Sequence, residues 1–271
     1  MSDEPRVPLD VSVKDAFRVS FVPEIFIRLS EFPKYLGHVW PQMVPSIETV
    51  GFLSSALYMA DMALDAAQDV YEPVLDHDAY SPETVVERES LRSTVDLFHY
   101  VQPQLLLVLA GLAEAFDRQE IGGYGSAEVR PRTKREDTHL AAGLKLSDQF
   151  SEAADICEVL GTSKVPDIYR STGEFSNFVE LFWQEVKELH SYPDFRRRSR
   201  GLYYYARSAT KFLANPIRAS EADLQKLDLE VQDILAIREL IDDELLQTAV
   251  MMMHAECMRI VLGDTAREVV Q

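Results

Sequence analysis

The stretch VPEIFIRLSEFPKYLGHVW, residues 22–40, is matched without a gap by VPDIYRSTGEFSNFVELFW, residues 165–183. The two stretches lie 143 positions apart and share six identical residues. The identical pairs include the only two tryptophans of the chain, Trp40 and Trp183. Self-similarity at a fixed offset indicates a repeated structural unit. The sequence therefore predicts that the chain contains two copies of one unit.

Helical spacing dominates both copies. Apolar residues at positions 36, 39, 40 and 43 follow the i, i+3, i+4, i+7 pattern of an amphipathic helix, and positions 179, 182, 183 and 186 repeat it. No run alternates regularly enough to predict a sheet. We therefore expect an all-α fold of two similar helical repeats that form an internal pseudo-dimer. A cleft between two such repeats is a favoured place for a small-molecule site.

A candidate linker separates the copies. The segment EIGGYGSAEVRPRTKREDTHL, which begins at Glu120, contains three glycines, one proline and mixed charges, a composition typical of an exposed connection. We assign the first repeat to residues 1–120, the linker to residues 121–140 and the second repeat to residues 141–271. Two stretches, SPETVVERESL from Ser81 and SEADLQKLDLEV from Ser220, predict helices that begin with a serine N-cap.

The charge balance narrows the set of partners. The chain has 27 basic and 45 acidic residues, which gives a net charge of −18. Such a surface repels nucleic acids and anionic membranes, so we expect neither as a partner. A small-molecule substrate is compatible with the charge, and a homodimer is left open. The same acidic composition is typical of salt-adapted proteins, which leaves a halophilic source open as well.

The cysteines and the apolar segments of the sequence indicate the redox chemistry and the location to expect. The two cysteines, Cys157 and Cys257, form neither a disulfide framework nor a CxxC pair. The longest apolar runs, such as residues 105–113, are short for a membrane span, and MSDEPRVPLD has no apolar signal-peptide core. We expect a cytoplasmic protein.

Four segments resemble, in the same order, those of the group I 2-haloacid dehalogenases, the DehI-type family. They are LSEFPKYLGHVW from Leu29, FHYVQPQLLL from Phe98, GGYGSAEV from Gly122 and MMMHAECM from Met251. Together they span most of the chain, and the tandem helical organisation is similar too. The resemblance implies an all-helical enzyme that hydrolyses the carbon–halogen bond of short 2-haloalkanoic acids with no metal or organic cofactor.

The resemblance also implies the catalytic residues. A carboxylate in the second repeat activates a water that attacks C2 directly, and Asp167 is the carboxylate nearest to that position. The amide that helps to hold the water in the first repeat corresponds to Gln102. In-line displacement needs a fixed water, a general base and a dry pocket. As the base must be ionised, we expect helix-terminal N–H groups to outweigh burial in setting the pKa of Asp167.

Further candidates concern the substrate pocket. Phe21 corresponds to one member of an aromatic pair in the family, with Glu24 at the second position, and Leu105 occupies the position of a pocket tyrosine. His99 is an alternative base because imidazole titrates near neutrality. Met252 lies in a run of three methionines that can form an adaptable pocket wall.

Each catalytic candidate also has a structural interpretation. Asp167 follows a proline and suits the first turn of a helix, as does Glu24. Gln102 precedes Pro103 and suits a cap of the helix that follows. Two functions therefore stand side by side. One is a hydrolytic dehalogenase of small 2-haloalkanoic acids, and the other is a catalytically inert or repurposed helical paralogue that binds a small ligand or a partner.

Overall fold

The fold is wholly helical. The computed structural model describes residues 8–141 and 143–265. This part of the chain forms thirteen α-helices and one 3-10 turn, and it contains no β-strand, only isolated antiparallel bridges at Thr49–Val129 and Ile121–Ile217. The all-α class expected from helical periodicity is confirmed.

The helices fall into two groups of six around a linker helix. The first group is α1 Leu9–Phe17, α2 Glu24–Leu29, α3 Pro33–Ile47, α4 Val50–Val70, α5 His77–Tyr80 and α6 Val85–Asp117. The linker contains α7, Lys134–Ala141. The second group is α8 Ala153–Leu160, α9 Asp167–Thr172, α10 Ser176–Leu189, α11 Pro193–Ala209, α12 Glu221–Gln225 and α13 Val231–Val261. The 3-10 turn Thr210–Phe212 follows α11.

The helix order of the second group repeats that of the first. Both α2 and α9 begin directly after a proline, with residue 167 following residue 24 by 143 positions. The tryptophans also make equivalent bonds. Trp40 Nε1 donates to Ser12 Oγ at 2.9 Å, and Trp183 Nε1 donates to Asp155 Oδ2 at 2.5 Å, with partners that are again 143 positions apart. The internal pseudo-dimer requires the halves to superpose and stays a prediction, as do the three segment boundaries.

The two expected serine caps have different outcomes. Ser220 caps α12, where its Oγ accepts from the backbone N–H of Asp223 at 3.3 Å. Ser81 caps no long helix, because α6 begins four residues later. There Thr84 Oγ1 accepts from the backbone N–H of Glu87 at 3.2 Å and bonds to its carboxylate at 2.6 Å. The threonine followed three residues later by glutamate is the stronger capping signal.

Two long helices form the centre of the fold. Helix α6 packs along α13 more extensively than any other pair of described helices, and α4 and α11 pack against both. Residues 97–116 of α6 are all buried, so the helix is covered around its whole circumference. Because α6 belongs to the first group and α13 to the second, the two halves share one core.

Helix α6 also meets a length and hydropathy test for membrane spans. It is the one described helix that is long and apolar enough by those measures, a test that core helices pass equally. Its most apolar 18-residue window is 94% buried inside the fold. The apolar run at residues 105–113 is shorter than the 18 residues over which hydropathy is averaged, so the expectation that this run is short for a membrane span is not contradicted. The cytoplasmic location stays a prediction.

The linker packs closely against both halves. The Arg130 guanidinium is 2% exposed and donates to the carbonyl of Ala16, the hydroxyl of Tyr100 and Oε1 of Gln104. A side chain at Gly125 would meet the carbonyl oxygen of residue 212 at 1.9 Å, so only glycine fits where the linker crosses the 3-10 turn. Most described residues of the linker are nevertheless exposed, as expected of a connection, and the buried Arg130 anchors the segment.

Candidate functional site

A cleft of about 490 Å³ lies between the two halves. The first half contributes the start of α2 and one face of α6, and the second contributes residues 160–168 and one face of α13. Four of the residues expected at the site line this cleft: Phe21, Gln102, Leu105 and Asp167. The fold thus brings together side chains that are up to 146 positions apart in the sequence.

Asp167 is the first residue of α9, and its side chain is 14% exposed. Its Oδ2 accepts from the backbone N–H of Glu24 at 2.9 Å, and its Oδ1 accepts from Arg170 Nη1 at 3.1 Å. Glu24 is the first residue of α2 and lies 143 positions earlier. The equivalent helix starts of the two halves therefore meet at the cleft.

Burial raises the pKa of Asp167 to about 6. The Glu24 amide and the Arg170 guanidinium stabilise the carboxylate, but loss of solvation is the largest effect, and the Glu24 carboxylate adds to it. The expectation that helix-terminal donors would outweigh burial is wrong, because one amide and one arginine do not replace the lost water. A carboxyl group with this pKa is still mostly ionised at neutral pH.

The Glu24 carboxylate is held by two cations. Lys164 Nζ forms a short ion pair with Oε1, and Arg170 Nη1 lies 3.3 Å from Oε2. Arg170 thus bridges Glu24 and Asp167, while its Nε lies 2.9 Å from Asp148 Oδ1. These contacts offset the negative charge of Glu24 and fix the orientation of the two helix starts.

Gln102 lies in the middle of α6, and the residue is 5% exposed. Helix α6 continues unbroken through Pro103, so Gln102 caps no helix, and that structural interpretation is wrong. Its Oε1 is buried and has no hydrogen-bond partner among the described residues. Because an unsatisfied buried acceptor is costly, a water or ligand donor is expected to complete it.

His99 is not among the residues that line the cleft. Its Nδ1 lies 2.5 Å from Glu256 Oε1, and Arg259 Nη1 approaches the same nitrogen at 2.9 Å, in a buried cluster between α6 and α13. Successive helical residues point about 100° apart, so the residue next to the cleft-lining Phe98 faces another direction. The expected contact of His99 with substrate is therefore corrected, and its use as an alternative base loses support.

Met252 is also turned away from the cleft. The residue is 2% exposed within the core, whereas its neighbour Met251 lines the cleft. The run of methionines therefore reaches the cleft through Met251 and not through Met252. Phe21, by contrast, packs against Phe98 with ring centroids 5.4 Å apart and forms part of an apolar wall.

Sequence reasoning missed the polar residues that α13 directs into the cleft. They are Glu244, Gln247 and Thr248, at the i, i+3, i+4 spacing that puts them on one helix face. Burial, followed by the charge of Asp167, raises the pKa of Glu244 to about 7. Arg28, also missed, approaches Glu244 with Nη1 3.9 Å from Oε2. The sequence did contain a signal for them: these polar residues share a helix face with Met251, on a stripe of α13 that is otherwise apolar.

Two further buried polar atoms at the cleft lack partners within the described chain. They are the hydroxyl of Thr162, in the loop before α9, and Nε2 of Gln247. With the Gln102 amide oxygen, the lining thus offers an unsatisfied acceptor, an unsatisfied donor and a hydroxyl. Such groups fix the orientation of ligands in mostly apolar pockets.

The lining carries more negative than positive side chains. Its carboxyl groups belong to Glu24, Asp167, Asp243 and Glu244, and its cations to Arg28 and Lys164. Over residues 8–141 and 143–265, no group of three or more His, Cys, Asp or Glu side chains has the arrangement of a metal site. The cleft can therefore supply proton transfer, hydrogen bonding and one loosely paired guanidinium.

Solved structures with the same fold include those of D-2-haloacid dehalogenases. One, in complex with L-LA, has a TM-score of 0.84 at 15% identity, covering 96% of this chain and 94% of its own. A mutant of such an enzyme in complex with D-2-CPA has a TM-score of 0.80 at 15% identity, covering 92% and 89%. A further mutant structure has the same TM-score and identity over 93% and 89%. No family model and no curated protein matches the sequence.

Proposed function

We propose that the protein is a divergent group I 2-haloacid dehalogenase that hydrolyses small 2-haloalkanoic acids. The observation that carries this proposal is the meeting of Asp167 and Gln102 in one cleft, each from a different half, within the fold of D-2-haloacid dehalogenases. A buried carboxylate whose pKa is raised to about 6 suits a general base. The unpaired Gln102 oxygen supplies an acceptor for the second hydrogen of the same water.

The reaction is a single displacement. The water oxygen attacks C2 in line with the carbon–halogen bond, Asp167 takes a proton from the water, and the halide leaves with the bonding electrons. The products are the 2-hydroxy acid, inverted at C2, a halide ion and the proton that Asp167 later releases. The cleft contributes the position of the water and the exclusion of bulk solvent. The step needs neither a metal nor an organic cofactor.

Arg28 is the residue we assign to the substrate carboxylate. It lines the cleft with a side chain that is 40% exposed, and its contact with Glu244 at 3.9 Å is long for an ion pair. Lys164, the other lining cation, is already bound to Glu24. A guanidinium can hold a carboxylate through two parallel hydrogen bonds. Phe21 and Leu105 then form the apolar side of the pocket.

Halide release tests the proposal directly. We expect the purified protein to release halide from 2-chloropropionate or 2-bromopropionate, assayed as separate enantiomers at low and at molar salt, and to yield lactate of inverted configuration. Gln102→Ala should lower kcat by about tenfold, because the water loses one of its two anchors. Lack of halide release from both enantiomers at all salt concentrations would rule out the activity.

The charge of the cleft favours a second candidate. Four lining carboxyl groups against two cations disfavour an anionic haloacid, and they suit a catalytically inert or repurposed paralogue that binds a small neutral or cationic ligand. A thermal-shift comparison of 2-hydroxy acids with amines of the same size separates the two. Stabilisation by amines alone, together with absent halide release, would favour the paralogue.

A further inference from the structure

The cleft is larger than a three-carbon acid needs. Its volume of about 490 Å³ lies in the range of roughly 300–1,000 Å³ that holds drug-sized ligands. The lining face of α13 includes Glu244, Gln247, Thr248 and Met251. From the first to the last of these the helix rises roughly 10 Å. A three-carbon substrate at Asp167 therefore leaves much of this face uncovered.

The uncovered face has one unsatisfied donor next to two apolar residues. Gln247 lies between Glu244, whose pKa responds to the charge of Asp167, and Met251 one turn further along α13. The Nε2 atom of Gln247 is buried and has no acceptor among the residues described. Val250 and Met251 beside it are apolar. The chemistry that fits is a hydrocarbon chain interrupted by one acceptor oxygen.

We infer that the cleft takes 2-haloacids whose chain extends beyond three carbons and carries an acceptor oxygen, and that Gln247 is the specificity residue that donates to that oxygen. This inference rests on the proposed dehalogenase function for the reacting end of the substrate. The catalytic residues Asp167 and Gln102 act at C2, whereas Gln247 binds the distal part of the chain. The two parts of the cleft can therefore be tested separately.

Chain length is the first test. Halide release is measured for 2-bromopropionate, 2-bromobutyrate, 2-bromovalerate and 2-bromohexanoate. Each added methylene that enters the apolar part of the cleft should raise kcat/KM by about fourfold. This series uses the unmodified protein and does not depend on any variant folding. A kcat/KM that is highest for 2-bromopropionate and falls along the series contradicts the inference.

The acceptor oxygen is tested with a matched pair of substrates. 2-Bromohexanoate and 2-bromo-4-methoxybutanoate have the same length, and the second has an ether oxygen in place of one methylene. Replacing Gln247 with leucine removes the donor at similar size. The ratio of kcat/KM for the ether over the alkyl acid should fall about threefold to tenfold in Gln247→Leu. Gln232→Leu, at an exposed position on the same helix, should leave the ratio unchanged.

Binding without turnover separates failure of the inference from failure of the proposed function. 2-Hydroxy-4-methoxybutanoate, which has no halogen, should raise the thermal midpoint of the parent protein more than that of Gln247→Leu. If no acid releases halide but this difference appears, the dehalogenase proposal fails and the distal site stands. If halide is released, but the substrate ratio and the midpoint shift are unchanged in Gln247→Leu, the distal site is overturned and the dehalogenase stands. Absence of both effects overturns both.

Discussion

The starts of α2 and α9 occupy equivalent positions in the two halves but differ electrostatically. Each helix begins with a carboxylate directly after a proline, Glu24 in one and Asp167 in the other. The longer Glu24 side chain reaches Lys164 as well as Arg170, whereas Asp167 pairs with Arg170 alone. The shorter Asp167 side chain stays at the helix start, where it accepts a hydrogen bond from the backbone N–H of Glu24. Burial raises the pKa of Asp167 to about 6.

Two positions that are matched in the sequence thus differ in their surroundings, and we propose only one of them, Asp167, as the reactive group. The two carboxylates are about equally buried and share Arg170, so the second cation, Lys164, is what distinguishes Glu24 from Asp167. Glu24, which has two cations, serves as an electrostatic anchor, whereas Asp167, which has one cation and a raised pKa, is suited to accept a proton. Equivalent sequence positions therefore need not have equivalent roles.

The largest expected effect separates these two carboxylates. Asp167→Asn should lower kcat by about 10²–10⁴-fold, because the variant cannot accept the proton from water. Glu24→Gln, the matched change in the other half, should lower kcat only a few-fold. The substitution changes the side chain alone, so the backbone N–H of residue 24 can still donate its hydrogen bond to Asp167. Halide release at pH 8 measures both. If Asp167→Asn keeps most of its activity, or if the two losses are equal, the assignment of the base is wrong.

An intermediate effect concerns pH. Because the base must be ionised, kcat/KM should rise with pH and level off above about 6, the pKa of Asp167. The charges facing this group are Glu24, Arg170 and Glu244, and the Glu24 carboxylate raises its pKa. Glu24→Gln should therefore move the inflection to lower pH. An inflection that stays in place, or moves upward, contradicts the coupling between the helix starts.

The free energy of unfolding should also depend on pH through the ionisation of Asp167. The pKa of Asp167 is about 6 in the folded protein against a usual 3.8, so the folded state binds a proton that the unfolded state lacks between these values. Burying the charge lowers the free energy of unfolding by up to about 3 kcal/mol above pH 6, and this loss disappears as the pH falls towards 4. Asp167→Asn should therefore be at least as stable as the parent at pH 8, and its advantage should vanish near pH 4 in urea unfolding.

The smallest effect tests the equivalence of the halves themselves. Ser12→Ala and Asp155→Ala each remove the acceptor of one tryptophan N–H. Each should lower the free energy of unfolding by about 1 kcal/mol, because one buried donor loses its partner. Urea unfolding of both variants gives the comparison. A cost at one position and none at the other would show that the two tryptophan environments differ.

Part of the site could be predicted because it lies close to the repeat. Asp167 lies within the matched segment 165–183, Phe21 directly precedes the segment 22–40, and Gln102 lies in one of the four segments whose order resembles the family. Glu244 and Gln247 gave no comparable signal, because their importance depends on which face of α13 meets α2. The expected position of His99 differs from the observed one for the same reason. Its neighbour Phe98 lines the cleft, but the His99 ring points away from the cleft and contacts the buried Glu256.

The sequence by itself determined the helical class, the offset of 143 residues between the two groups of helices, and the carboxylates that start α2 and α9. These follow from local periodicity and from residue types, which act over a few positions. Only the tertiary structure decided that burial raises the pKa of Asp167, that Gln102 Oε1 is left without a partner within the described chain, and that the linker is anchored by a buried arginine. Solvation and hydrogen-bond satisfaction depend on atoms from distant parts of the chain, so no local pattern encodes them.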